Sequence, residues 1–285
     1  MTVGEPFPYC GRTASNAGTQ CFTKRDFPCR LCGANTLGKF HLCVLDHFEV
    51  RYFECTHCGS LQTEEPHWLA KAYDQSNLAY SDVGAAQRVI TNCSFVSLFA
   101  NLMGAHTALD FGGGDGLLCR LLRDRGFDAY TIDMFSLPSY AMAFVGSLEK
   151  NYDIVTAFEV LEHFPNPRES LDKLFQSRPR FLLASTEPYV RNGSDWWYLA
   201  PSSGQHVFFY SEAALRWIAA HYDYCYYLIN GRHVFAKTPI SRLRLLVLSC
   251  LSGKTLFKLY QASLPFSEVW TWIQRDYETL LKRKL

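Results

Sequence analysis

No apolar run in this chain is long enough to cross a bilayer. The most apolar stretch, Leu243–Leu251 (LRLLVLSCL), is nine residues, against the roughly 20 that a spanning helix needs. A secretory leader is also missing, since the first 25 residues are polar and contain no apolar core. Charge of one sign is scarce: 28 Lys and Arg stand against 27 Asp and Glu, a net charge of +1. That balance argues against a strongly electrostatic nucleic-acid binder. These absences lead us to expect a cytoplasmic protein without a transmembrane segment. What is plentiful is apolar material: 48% hydrophobic and 15% aromatic residues, enough for one large domain or a core domain with a small satellite.

Cysteine is abundant and odd in number, at eleven. Without a secretion signal, this points to reduced thiols and metal ligation, not disulfides. Cys29 and Cys32 form one CxxC followed by Gly33, and Cys55 and Cys58 form another followed by Gly59. Each pair sets two thiolates on a tight knuckle, and two knuckles make a tetrahedral four-thiolate shell for structural zinc. The 22 residues between the pairs include the strand-like FEVRYFE, as in the hairpin of a zinc ribbon. The remaining seven cysteines have no partner at ligand spacing.

The central text alternates strands with helices, which predicts an α/β fold with a parallel, Rossmann-like sheet and helices on both faces. HTALDFG is the first strand and Leu117 to Arg125 the first helix. DAYTID and YDIVTAFE are further strands, Pro167 to Gln176 a helix, RFLLASTE a strand, and Ser211 to His221 an amphipathic helix. YDYCYYLIN and HVFAK read as a closing antiparallel pair across Asn230-Gly231. Along the chain we expect a flexible tail (1–26), the ribbon (27–66), a helical linker (67–104), a cofactor-binding domain (105–237) and C-terminal helices (238–285). SRLRLLVLSCLSGKTLFKLY and VWTWIQRDYETLLKRKL read as packing or dimerising helices in preference to membrane-surface ones.

The segment from Asp110 to Gly116 (DFGGGDG) joins the first strand to the first helix. Glycines there let a backbone approach a bound nucleotide closely, beside the unpaired amides that open a helix. A dinucleotide fingerprint wants glycine at first, third and sixth positions, but counting from Gly112 the sixth is Leu117. Here glycine recurs at every second position: Gly112, Gly114 and Gly116 follow Asp110, with Gly113 between. This resembles motif I of class I S-adenosylmethionine (SAM) methyltransferases. The resemblance implies Asp110 near the methionine moiety, Gly112 and Gly114 admitting the cofactor, and a second acid for the ribose hydroxyls. Asp133 supplies one, 17 residues after Gly116 at the end of DAYTID.

Glu159, Glu162 and His163 follow the strand YDIVTAF in the string EVLEHFPNP. If that string starts a helix, positions i, i+3 and i+4 share a face. Two carboxylates and an imidazole then offer ligands for Mg²⁺, Mn²⁺ or a similar ion, with His206 as the fourth. Without a metal the string caps a helix and lines the cofactor pocket, Glu159 included, and His206 or His163 acts as general base. Both readings stay open. The loop between RFLLASTE and His206 carries Trp196, Trp197 and Tyr198. They either stack on a sugar face or base of the substrate, or plug the core beneath a lid.

Together CRLCG, FECTHCGSLQTEEPHWLAKAY, LDFGGGDGLLCRLLRDRGFDAY, YDIVTAFEVLEH, STE and WWY followed by GQHVFFYS resemble class I SAM methyltransferases with an N-terminal zinc ribbon. The resemblance covers about residues 27 to 237 and implies sugar or glycan pathways. Some metal-assisted O-methyltransferases resemble the Glu-x-x-Glu-His pattern with a later His. The expected activity is O-methylation of a hydroxyl on a sugar-like or other polar small molecule. Its rivals are C-methylation of a nucleotide-linked keto sugar and a non-catalytic ribbon module binding RNA or protein. A homo-oligomer is compatible with all of them. Where some relatives carry an aromatic residue in the glycine loop, this chain has Asp115.

Overall fold

The computed structural model describes residues 27–74, 84–250, 271–276 and 278. The expected tail, 1–26, and part of the expected C-terminal helices lie outside the described residues. The chain divides into two compact units, one holding residues 1–78, 162–168 and 187–214, the other 79–161, 169–186 and 215–285.

The first unit contains a four-stranded sheet in the order β1-β2-β3-β8. β1 (Thr36–Val44) and β2 (Phe48–Cys55) form an antiparallel hairpin, and β3 (Leu61–Thr63) pairs with β2. β8 is only Phe208–Phe209, yet it completes the sheet by pairing antiparallel with β3, Leu61 opposite Phe209. The ribbon therefore does not end at residue 66. Its sheet needs a strand from more than 140 residues later, so the linear division expected from the sequence differs from the way the chain packs. A core of Val50, Tyr52, Leu61, Trp68, Trp196 and Phe209 fills this unit, and the short helix α1 (Leu69–Asp74) contributes Ala72 to it.

The second unit is a six-stranded sheet in the order β5-β4-β6-β7-β10-β9. β4 (Thr107–Phe111), β5 (Asp128–Ile132), β6 (Ile154–Phe158) and β7 (Phe181–Ser185) run parallel. Ile154, Val155, Thr156 and Ala157 of β6 are all buried, the continuous burial expected of a central parallel strand. β9 (Cys225–Ile229) and β10 (Arg232–Ala236) close the sheet as the expected antiparallel pair. Asn230 and Gly231, both at positive φ (49° and 73°), provide the two left-handed residues of the tight hairpin turn.

Helices sit where the sequence places them, with small shifts at their ends. α2 (Ala85–Met103) stops at Gly104, whose left-handed backbone (φ 60°) closes the helix. α3 (Leu117–Arg123) follows the glycine turn, and α4 (Pro167–Gln176) opens on its proline. α5 (Glu212–His221) is capped by Ser211, whose Oγ accepts the Ala214 amide at 3.0 Å. α6 (Arg242–Cys250) follows β10. The fold is the mixed α/β architecture with a parallel-rich sheet that the alternation predicts.

Candidate functional site

In an open parallel sheet, ligands collect where neighbouring strands lead off in opposite directions, outside their carboxyl ends. Here that place is the end of β4, which lies between β5 and β6. Three loops of the second unit start there: the glycine turn after β4, Asp133 after β5, and Glu159 after β6. The Gly114 amide donates to Asp133 Oδ2 at 2.9 Å, and the amides of Phe135 and Ser136 donate to Oδ1 at 2.8 Å each. One carboxylate thus fixes the turn and its own loop, using about three of its four acceptor positions.

The glycines divide by what stands against them. A β-carbon on Gly112 would lie 2.6 Å from Val160 Cγ2, and one on Gly113 would lie 2.5 Å from Asp110 Oδ2. Both are small because the protein itself occupies the space, whereas the sequence had Gly112 facing the cofactor. Gly114, at φ +57°, meets nothing within 4 Å and is the turn residue open to a ligand. Asp115 accepts the Leu117 amide at 3.1 Å and leads the turn into α3.

Asp110 is buried, 5% exposed, and flanked in register by Thr131 and Thr156. Thr156 Oγ1 donates to its Oδ1 at 2.7 Å, but burial dominates and pushes the carboxyl up to about 7. The folded value exceeds the unfolded 3.8, so the folded state binds the proton more tightly. Stability from this group is fullest below about pH 4 and falls as pH rises towards 7. Asp110→Asn is therefore expected to gain stability on the parent across that window, by on the order of 3 kcal/mol above pH 7. Melting curves between pH 4 and 8 check this, and a constant difference across them would contradict it.

Glu159 is not helical. Its φ is +53°, its amide donates to Ser185 O at 3.0 Å, and its Oε1 accepts from Ser185 Oγ at 2.6 Å. A single 3-10 turn, Leu161–His163, begins after it. The expected i, i+3, i+4 face from Glu159 therefore does not form, and Glu159 does not join the other three expected ligands.

Those three do assemble, within the first unit. Ligand atoms of Glu162, His163 and His206 all lie within 4.8 Å of one another, and the two imidazoles meet edge to face at 4.9 Å between centroids. Tyr198 ties the group together. Its hydroxyl donates to Glu162 Oε1 at 2.7 Å, and its carbonyl lies 2.7 Å from His206 Nδ1. A carbonyl only accepts, so Nδ1 carries the proton and the lone pair of His206 sits on Nε2. Burial, reinforced by His206, lowers His163 to about 3. Its ring is neutral at ordinary pH, the form that ligates a metal and a poor proton acceptor.

The aromatic loop splits. Trp196 and Tyr198 are buried in the first unit's core, and only Trp197, 73% exposed, is available to stack on a ligand. Sequence reasoning missed the residues that hold this group: Tyr73, whose Oη is 3.4 Å from His163 Nδ1, and Arg30. Arg30 lies inside the first CxxC and donates to Pro165 O (2.9 Å), Val207 O (2.6 Å) and Thr63 O (3.1 Å). Val207 in turn donates its amide to Glu162 O at 2.9 Å. Only the CxxC pattern around Arg30 hinted that the position matters.

Cys29, Cys32, Cys55 and Cys58 converge as expected, with Cys29–Cys58 Sγ 3.7 Å and Cys32–Cys55 Sγ 3.5 Å apart. A tetrahedron with Zn–S bonds of about 2.3 Å has edges of about 3.8 Å, so the four sulfurs could hold zinc. The amides of His57 and Cys58 both point at Cys55 Sγ at 3.4 Å, as suits a thiolate. Burial pushes Cys32 up to about 11, and the contact with Cys29 raises Cys58 further; a bound cation reverses that preference.

No curated protein sequence matches the chain. Among solved structures, the methyltransferase domain of bacterial CtHen1 is similar at 20% identity and a TM-score of 0.40, over 53% of this chain and 98% of that one. Magnesium protoporphyrin IX methyltransferase from Synechocystis PCC 6803 with bound SAH is similar at 18% and 0.43, over 60% and 95%. An O-methyltransferase family protein from Burkholderia thailandensis is similar at 16% and 0.44, over 58% and 59%. The family described as a methyltransferase domain matches residues 86–227, the span that holds the glycine turn, Asp133 and Glu159. Residues 86–227 of this chain form a methyltransferase domain of that family.

Proposed function

We propose that this methyltransferase O-methylates a hydroxyl of a sugar-like or other polar small molecule, assisted by a divalent ion on Glu162, His163 and His206. Asp110, Gly112, Gly113, Gly114, Gly116, Asp133 and Glu159 frame the SAM site, and bound SAM supplies an electrophilic methyl group on its sulfonium. The observation that carries the reading is the Glu162–His163–His206 cluster. It presents one carboxylate and two neutral-competent imidazoles, a three-ligand set that leaves positions open for a substrate oxygen. A bound Mg²⁺ or Mn²⁺ ion supplies a Lewis acid that lowers the pKa of a hydroxyl it touches. The protein's own part is to hold the acceptor, with Trp197 the exposed ring for a sugar face; His206 Nε2 takes the proton itself only where no ion occupies that lone pair.

Chelation is expected to abolish turnover in a screen of nucleotide sugars and glycans, and added Mn²⁺ or Mg²⁺ to restore it while the ribbon zinc stays bound. His206→Ala should lower turnover by at least about a hundredfold. Full activity after chelation, with a methoxy product by NMR, would leave His206 as a metal-free base. A new C-methyl group in the product would overturn the O-methylation reading.

A further inference from the structure

We propose that α6 is a docking face that lies on an anionic lipid surface. The helix meets the second unit through Leu248, 1% exposed, and the partly buried Leu245, and Asn230 Nδ2 donates to Leu248 O at 2.7 Å. Its other face is apolar and open. Leu243 is 72% exposed, Leu246 60% and Val247 38%, and Cys250 is exposed too. These positions stand at i, i+3, i+4 and i+7, one stripe of a helix. In a helix packed on a globular body such a stripe turns inward; here a second one turns outward.

The charges suit lipid headgroups. At about 100° per residue, Arg242 and Arg244 project about 100° to either side of Leu243, and both are exposed. An apolar strip bordered by arginines, whose stems lie along it and whose heads reach outward, is how a helix sits at the headgroup boundary. The surrounding sequence is one-signed. Residues 224–267 contain six Lys and Arg and no Asp or Glu, whereas the rest of the chain has 22 against 27. Anionic headgroups attract such a cluster. A second copy of this chain is a poorer occupant, because a two-fold interface would set these arginines against each other with no acid in the segment to pair them. No helix of the described residues is long and apolar enough to cross the membrane, so the face rests on the surface.

The test is co-sedimentation of the full chain with vesicles at near-physiological salt. Binding to phosphatidylcholine vesicles with about 30% phosphatidylserine is expected to exceed binding to pure phosphatidylcholine by at least about tenfold. Leu243→Ser with Leu246→Ser, and separately Arg242→Glu with Arg244→Glu, should each reduce it by about tenfold or more. Unchanged calorimetric SAM affinity in both variants shows that the fold is retained. The proposal is overturned if the parent ignores phosphatidylserine, if both variants bind as it does, or if light scattering finds a dimer that the leucine variant dissociates.

Discussion

Asp133→Ala is expected to weaken SAM binding by about a hundredfold. Two contributions lead in the same direction. A carboxylate that accepts from ribose hydroxyls gains about 1.5–3 kcal/mol per charge-assisted bond, and 2.7 kcal/mol is about a hundredfold in affinity. The same carboxylate anchors the amides of Gly114, Phe135 and Ser136, so alanine also frees the turn. Asp133→Asn keeps one acceptor oxygen and should fall between the two. Isothermal calorimetry with SAM decides the matter, and an alanine variant within threefold of the parent would remove Asp133 from the cofactor site.

The second large effect is on stability. Arg30→Leu is expected to cost about 3 kcal/mol or more. The change strips charge-assisted donors from the carbonyls of Thr63, Pro165 and Val207, of which Val207 O keeps the Thr63 amide at 3.1 Å. Burial lowers the guanidinium only to about 10, so it remains charged at pH 7 in the parent. Arg30→Lys keeps the charge but lacks the planar fork that reaches several carbonyls at once, and it should recover only part of the loss. Urea unfolding of the zinc-loaded protein measures both, and a cost under 1 kcal/mol for leucine would show that the carbonyls find other donors. Because Arg30 sits between Cys29 and Cys32 and holds Val207 beside His206, removing zinc should also loosen the Glu162–His163–His206 cluster. Weakened Mn²⁺ binding after zinc is stripped would register that loss without an activity assay.

The two functional regions differ in how readily the sequence announces them. The glycine turn, the second acid and the CxxC pairs are short-range patterns, since each needs a particular residue type within a few positions of another. Asn230-Gly231 belongs with them, because its turn is set by two residues' backbone preference. The EVLEH string misleads for the opposite reason. Its spacing suits a helix, but Glu159 takes a left-handed backbone and binds Ser185, 26 residues away, so the helical face never starts there. The tryptophan loop was ambiguous because a ring that stacks on a ligand and a ring that fills a core have the same composition. Burial alone separates Trp197 from Trp196 and Tyr198.

The sequence by itself determined the α/β alternation, the glycine turn between first strand and first helix, the acid Asp133 that closes the next strand, and the two CxxC pairs whose thiols could hold zinc, all of which rest on local spacing and backbone preference. Tertiary structure alone decided that β8 completes the ribbon sheet, that His206 meets Glu162 and His163, and that Arg30 reaches Val207 across 177 residues. It also turned the apolar stripe of α6 outward. The physical reason is one of range. Propensity and spacing act over a turn or two of chain, while these contacts depend on which distant segments bury one another's apolar surface and satisfy one another's polar groups.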